Sequence, residues 1–157
     1  MKPHPYGTVN PCRSTDSADA ALDDALAVID ALGLKACLAF GTCLGFYRDG
    51  GYIDGDNDID LVVLAEPDEQ DALIDAMSQA GFGVGSTCPP IRNRHFYKYQ
   101  TLVDIFWRKG INFYGELGAV EYKGRAYPVP LRIEEYLAAC YADWRKPHRE
   151  AAHYNDD

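Results

Sequence analysis

The chain has no long apolar run, no excess of basic residues and no paired cysteine motif, and each absence narrows what it can be. No stretch approaches the roughly 20 apolar residues that a membrane-spanning helix needs. The opening residues Met1-Lys2-Pro3-His4-Pro5-Tyr6-Gly7 carry no signal-peptide core. The expectation is a cytoplasmic protein without a transmembrane segment. With 15 Lys and Arg against 24 Asp and Glu, the formal charge is −9. That balance argues against nucleic acid as a partner, because neutralising a phosphate backbone requires a basic face. An anionic substrate would instead need a metal ion or a local basic pocket. The five cysteines, Cys12, Cys37, Cys43, Cys88 and Cys140, form no Cys-x-x-Cys pair and have no His at zinc-finger spacing. They read as reduced thiols, small hydrophobes more than nucleophiles. No internal repeat or low-complexity segment is present.

What remains is an ordinary globular composition, 47% hydrophobic and 25% charged over 157 residues, enough for one domain with a real core. Residues 1–16 read as an irregular arm rich in Pro, Gly, Ser and Asp, ending in a helix cap at Asp16 or Ser17. Leu22, Leu26, Val28, Ile29 and Leu32 recur at helical spacing, with Gly33 as the stop. Lys35 to Phe40 reads as a short strand, Gly41-Thr42 as a turn, and 42–48 as a short helix. A strand over Asp58 to Leu64 precedes a helix from Pro67 to about Ala80, closed by Gly81. Phe82 to Thr87 reads as a strand, and Pro89-Pro90 breaks the chain. His95 to Tyr99 with Leu102 to Trp107 reads as one hairpin, and 119–122 with 125–127 as a second. A last helix carries Ile133, Tyr136, Leu137 and Cys140. The expected organisation is an α/β domain over 17–147 and a polar tail over 148–157.

The most informative stretch is Asp56-Asn57-Asp58-Ile59-Asp60-Leu61-Val62-Val63-Leu64, acids running directly into an apolar strand. Side chains alternate along a strand, so Asp58 and Asp60 share one face while Ile59 and Leu61 point into a core. Asp56 continues the acidic row. Carboxylates held close together repel and raise one another's pKa unless a cation lies between them, and hard oxygen ligands suit Mg²⁺ or Mn²⁺. A solvated turn accounts for Asp54-Gly55-Asp56-Asn57, but not for Asp60 inside the apolar run. Asp104 is a second acid of this kind, within Leu102-Val103-Asp104-Ile105-Phe106-Trp107. Were the two strands neighbours, Asp104 would join Asp58 and Asp60 and hold two divalent ions roughly 3.5–4 Å apart. A lone edge-strand Asp facing solvent is the plainer alternative.

The segment Phe40-Gly41-Thr42 offers close backbone approach, a hydroxyl and N–H groups suited to a phosphate, although any Gly-Thr can be only a tight turn. Arg92, Arg94, His95 and Lys98 form a local basic set that reads equally as a phosphate contact and as a solvated loop. A Ca²⁺ loop fails on register. Started at Asp54 it would need Gly and Glu where Ile59 and Ala65 stand, and started at Asp56 where Leu61 and Pro67 stand.

Gly41-Thr42-Cys43-Leu44-Gly45-Phe46-Tyr47-Arg48, Gly51-Tyr52-Ile53 and Asp56-Asn57-Asp58-Ile59-Asp60 together resemble the LicD-like phosphotransferases, the group that includes fukutin and its relatives. Tyr127-Pro128-Val129-Pro130, Glu135-Tyr136-Leu137 and Tyr141-Ala142-Asp143-Trp144-Arg145-Lys146-Pro147 look like the same family's closing segment, so the resemblance spans about residues 20–147.

The resemblance implies a nucleotidyltransferase-like α/β (α+β) fold, a small mixed sheet flanked by helices, using Mg²⁺ or Mn²⁺. It makes Asp58 and Asp60 paired metal ligands, Asp56 a further acid of the metal set and Asp104 its third strand-borne carboxylate, able to take a proton from an attacking hydroxyl. It gives donor phosphates to Gly41 and Thr42 and places Arg48 against phosphate charge, with Lys98 added from the basic set. A surface ion pair from Arg48 to Asp49 or Asp54 is the plainer reading of that arginine. The implied reaction moves a phospho-group from a nucleotide-activated donor such as CDP-choline or CDP-ribitol to a hydroxyl of a sugar or glycan. Transfer of a nucleoside monophosphate from an NTP, and a non-catalytic metal- or nucleotide-binding module, are the alternatives. The chain is shorter than many family members, which leaves the acceptor open.

Overall fold

A central strand with acids at one end and apolar residues at the other organises the molecule. The computed structural model describes residues 14–56, 58–85 and 92–146. The expected arm up to residue 13, the tail 148–157, and Asn57, Pro89, Pro90 and Pro147 lie outside these residues. Strand β2 (Asp58–Leu64) lies between β1 (Lys35–Leu38), antiparallel to it, and β5 (Thr101–Arg108), parallel to it. Strands β4 (Asn93–Lys98) and β3 (Gly83–Val84) extend the sheet, giving the order β1-β2-β5-β4-β3. Central position explains why Ile59, Leu61, Val62 and Val63 are all fully buried, since both faces of β2 are covered.

Ser14 opens helix α1 (Thr15–Ala31): its Oγ accepts the Ser17 N–H at 3.1 Å, so the cap lies ahead of the expected Asp16 or Ser17. Leu22, Ala25 and Ile29 form the buried stripe, and Gly33, at φ +70°, turns the chain out as Leu34 N–H reaches back to Ile29 O. Helix α3 (Pro67–Gln79) starts as expected, with Pro67 in its first turn and a reciprocal capping box between Glu66 and Glu69. The strand expected from Phe82 is only the two-residue β3, where described. No helix among the described residues is long and apolar enough to cross a membrane.

Helix α2 (Phe40–Arg48) differs from expectation. Gly41-Thr42 is not a turn after a strand but part of the helix's first turn, which begins at Phe40. Tertiary contacts impose this early start: Ala39 N–H bonds Asp60 O at 3.0 Å, and Phe40 N–H bonds the Tyr136 hydroxyl at 3.0 Å. The helix lies tight on the following loop, because a Cβ on Gly45 would sit 2.5 Å from Gly51 O. Both hairpins form, β4–β5 through Tyr99-Gln100 and β6 (Leu117–Tyr122) with β7 (Arg125–Pro130). Helix α4 (Ile133–Cys140) follows, its Tyr136 and Leu137 fully buried.

Acids on α1 bind the second hairpin. Asp19 accepts from Tyr52, Tyr122 and Lys123, and Asp23 from Tyr127 and Arg125. Burial first, then these carboxylate bonds, pushes the Tyr122 and Tyr127 phenols up to about 12. Three described cysteines, Cys37, Cys43 and Cys140, are buried thiols outside any disulfide. Burial raises the Cys37 thiol to about 12 and that of Cys43 well above its ordinary value, so these two are inert core residues.

Candidate active site

The parallel register of β2 and β5 sets Asp60 opposite Asp104, with Asp58 one alternation earlier on the same face. One carboxylate oxygen each from Asp58, Asp60 and Asp104 lies within 4.8 Å of the other two. Asp60 is 9% exposed and Asp104 8%, too little water to neutralise three clustered negative charges. The edge-strand alternative for Asp104 does not hold, since β4 covers β5 on its other side.

Strand β4 brings two further groups to this cluster. Asn93 Nδ2 donates to Asp104 Oδ1 at 3.0 Å, and His95 Nε2 lies 3.5 Å from Asp104 Oδ2. The bond to Asp104 and the nearby negative charge, Asp58 included, hold the His95 pKa above its ordinary value against the opposing effect of burial. Asn93 is not singled out in the sequence, and His95 only as one of the basic set, not as a partner of Asp104. The hairpin register carries the signal: a two-residue connection pairs Lys98 with Thr101 and therefore His95 with Asp104.

The start of α2 meets the acidic strand at Asp60. Ala39 N–H donates to Asp60 O, and Asp60 N–H donates to Thr42 Oγ1 at 2.9 Å, so the main chain of Asp60 is held on both sides. Cys43 N–H is the first to close onto the helix, at Ala39 O, which leaves the Gly41 and Thr42 N–H groups without an acceptor inside α2. Phe40 adopts φ +44°, a left-handed conformation that costs a bulky residue on the order of 1–3 kcal/mol. Its ring meets Phe106 edge-on at 4.9 Å, on the strand that carries Asp104.

The remaining expected residues lie elsewhere. Asp56 is not among the converging carboxylates. Arg48 binds Asp49 at 2.7 and 2.9 Å and the carbonyls of Trp144 and Lys146 at 3.0 and 2.6 Å, tying the end of α2 to the last described turn. Lys98 leaves the opposite face of β4 from His95 and donates to Asp24 and to Ala80 O, both at 2.7 Å. The basic set is thus split: Lys98 and Arg94 alternate away from the carboxylates, and His95 faces them.

A divalent ion suits the cluster on the chemistry of its donors, three hard carboxylates with one oxygen each inside 4.8 Å of the others and, among the described residues, no Lys or Arg side chain paired to Asp104.

Comparison with known proteins agrees with this geometry. Among curated proteins no sequence match is found. The chain shares its fold with the antibiotic-resistance factor ANT(2'')-Ia, with a TM-score of 0.56 and 16% identity over 73% of this chain and 65% of that one. It is also similar to the lincosamide antibiotic adenylyltransferase LnuA in its lincomycin-bound form, with a TM-score of 0.58 and 15% identity over 80% of this chain and 84% of that one. ANT(2'')-Ia in complex with adenylyl-2''-tobramycin gives 0.54 and 16% over 74% and 70%. The family model described as LicD/FKTN/FKRP, nucleotidyltransferase domain, matches residues 33–115, from the strand before α2 to just past the strand of Asp104. With its acidic strand, the adjoining helix start and the facing Asp104 all inside that span, the chain belongs to the LicD/FKTN/FKRP family by its nucleotidyltransferase domain.

Proposed function

We propose that this protein transfers a phospho-linked group from a nucleotide-activated donor, of the CDP-choline or CDP-ribitol type, to a hydroxyl of a sugar or glycan. The convergence of Asp58, Asp60 and Asp104 beside the first turn of α2 carries the reading. In it, these three residues hold Mg²⁺ or Mn²⁺, two ions in the fullest form, while Asp56 stays outside the ligand set. The metal, when bound, neutralises charge on the phosphate oxygens and on the leaving group.

The chain's own groups supply the rest. The Gly41 and Thr42 N–H groups receive donor phosphate oxygens at the positive end of α2. Thr42 Oγ1 already accepts from Asp60 N–H, so its own hydrogen remains to be donated to the donor. Asp104, steadied by Asn93, accepts the proton as the acceptor hydroxyl oxygen bonds to the β-phosphorus. The bond from that phosphorus to the bridging oxygen breaks, and CMP leaves with the electron pair.

The likeness to the lincosamide antibiotic adenylyltransferase LnuA supports a second reading, transfer of a nucleoside monophosphate from an NTP, with pyrophosphate leaving. A thermal-shift panel in Mn²⁺ separates the two. Stabilisation by CDP-choline or CDP-ribitol beyond metal alone supports the first; stabilisation confined to one of ATP, GTP, CTP or UTP moves the assignment to the second. No response to any of them contradicts both and leaves a non-catalytic module.

A further inference from the structure

We propose that Tyr136 is a positioning residue for the metal and phosphate site, its hydroxyl holding the strained corner at Phe40 that seats the first turn of α2 on Asp60. The inference rests on the roles given above to Gly41, Thr42 and Asp60. Tyr136 lies on α4, beyond residues 33–115 that define the family, and touches none of the carboxylates of the cluster.

The connection is a continuous chain of short contacts. Tyr114 donates its hydroxyl to Tyr136 at 3.3 Å, and the Tyr136 oxygen accepts Phe40 N–H at 3.0 Å. Two residues on, Thr42 Oγ1 accepts Asp60 N–H at 2.9 Å. The Tyr136 ring is packed by Phe40, Phe113 and Tyr114 at centroid distances of 6.3, 5.6 and 5.7 Å. A phenylalanine would fill that apolar space as well, so packing alone does not call for the hydroxyl. Tyr136 is completely buried, and a polar group in such a place costs stability unless it satisfies a partner. Its partner is the backbone N–H of the residue with the left-handed φ. Strained backbone persists where its surroundings over-determine it, and such positions cluster at functional sites. Burial also holds the Tyr136 phenol well above its ordinary pKa, so the hydroxyl stays neutral and the corner does not change with working pH.

Removing the hydroxyl leaves the part-buried Phe40 N–H without its acceptor and releases the corner. Thr42 then drifts from Asp60, and the N–H groups of the first turn lose their aim. The carboxylate side chains keep their strand register, so metal binding should survive while phosphate binding weakens.

The test compares Tyr136→Phe with Tyr127→Phe, which removes another largely buried hydroxyl, the one bound to Asp23. Hydrogen exchange of the Asp60 amide, read without ligand, should be at least tenfold faster in Tyr136→Phe and unchanged in Tyr127→Phe. Affinity for inorganic pyrophosphate in Mn²⁺ should fall at least tenfold in Tyr136→Phe only, with affinity for Mn²⁺ alone kept within twofold. An Asp60 amide that exchanges at the wild-type rate in Tyr136→Phe overturns the inference. So does equal acceleration in both variants, which makes the hydroxyl a general packing element. A wild-type protein that binds no pyrophosphate contradicts the proposed function, and the exchange rate still decides the role of Tyr136.

Discussion

The Thr42 hydroxyl oxygen accepts the backbone N–H of Asp60 at 2.9 Å, joining the first turn of α2 to the strand that carries the carboxylates. With Thr42 only 2% exposed, water is poorly placed to replace that bond. Thr42→Val keeps the shape and leaves Asp60 N–H unsatisfied, at a cost of about 1–3 kcal/mol in denaturant unfolding. Thr42→Ser should restore most of it. In the same variants, affinity for the nucleotide donor should fall more for Val than for Ser, with Mn²⁺ affinity little changed. Equal losses of metal and donor binding in Thr42→Val would remove the phosphate role.

Three clustered carboxylates cost stability when no cation is present. Asp60→Asn removes one charge and keeps the size, so the metal-free variant should melt above the metal-free wild type. It should also lose turnover by roughly 10²-fold or more, because the reaction depends on the charge it removes. A variant that turns over at the wild-type rate takes Asp60 out of the site.

Gly45 exists for a close approach. A Cβ there would lie 2.5 Å from Gly51 O and 3.0 Å from Ile53, so Gly45→Ala should destabilise by about 1–3 kcal/mol through overpacking. Calorimetry checks the loss. Mn²⁺ affinity should be retained below the new midpoint, since the groups a Cβ on Gly45 would meet are Gly51 and Ile53 and not the three carboxylates.

Lys98 and Asp24 make a pH-dependent contribution on the side of the sheet facing α1. The hydrogen bond from Lys98 holds the Asp24 carboxyl below its ordinary value, and the bond to Asp24 in turn raises Lys98 above its own. The Asp24 share is fully present above its unfolded value of about 3.9 and is lost as pH falls through the lower folded value. The Lys98 share is present below about 10.4 and is lost as pH rises through the higher folded value. Because Asp24 is more than a third exposed, solvent screens the pair, and Lys98→Met should cost no more than about 1 kcal/mol at neutral pH. Denaturant midpoints across pH should show the wild-type advantage shrinking at both extremes. A constant difference from pH 2 to 12 would contradict this.

The acidic strand was legible because its chemistry conflicts with its surroundings. Asp60 and Asp104 interrupt apolar runs, and such interruptions point to a site before any partner is known. The helical stripes of α1 and α3 were legible for the opposite reason, that local pattern and burial agree. The start of α2 was not. Ala39 and Phe40 are held by Asp60 and Tyr136, and no local spacing in Phe40-Gly41-Thr42 encodes contacts with residues so far along the chain. The roles of Asn93 and His95 needed the exact pairing of β4 with β5. That register is set by Tyr99 and Gln100, at φ +53° and +56°, where neither residue is the Gly or Asn that usually marks such a turn. Arg48 shows the converse: the family resemblance gives it to a phosphate, but its neighbour Asp49 and two backbone carbonyls take its guanidinium.

Calorimetric titration of Mn²⁺ into the wild-type protein and into Asp60→Asn and Asp104→Asn decides whether the three carboxylates hold a metal. Saturable binding by the wild type and loss of that binding in both variants are expected, with melting showing each still folded. Absence of Mn²⁺ and Mg²⁺ binding by the wild type, or binding undiminished in both variants, would contradict a metal site built on Asp58, Asp60 and Asp104.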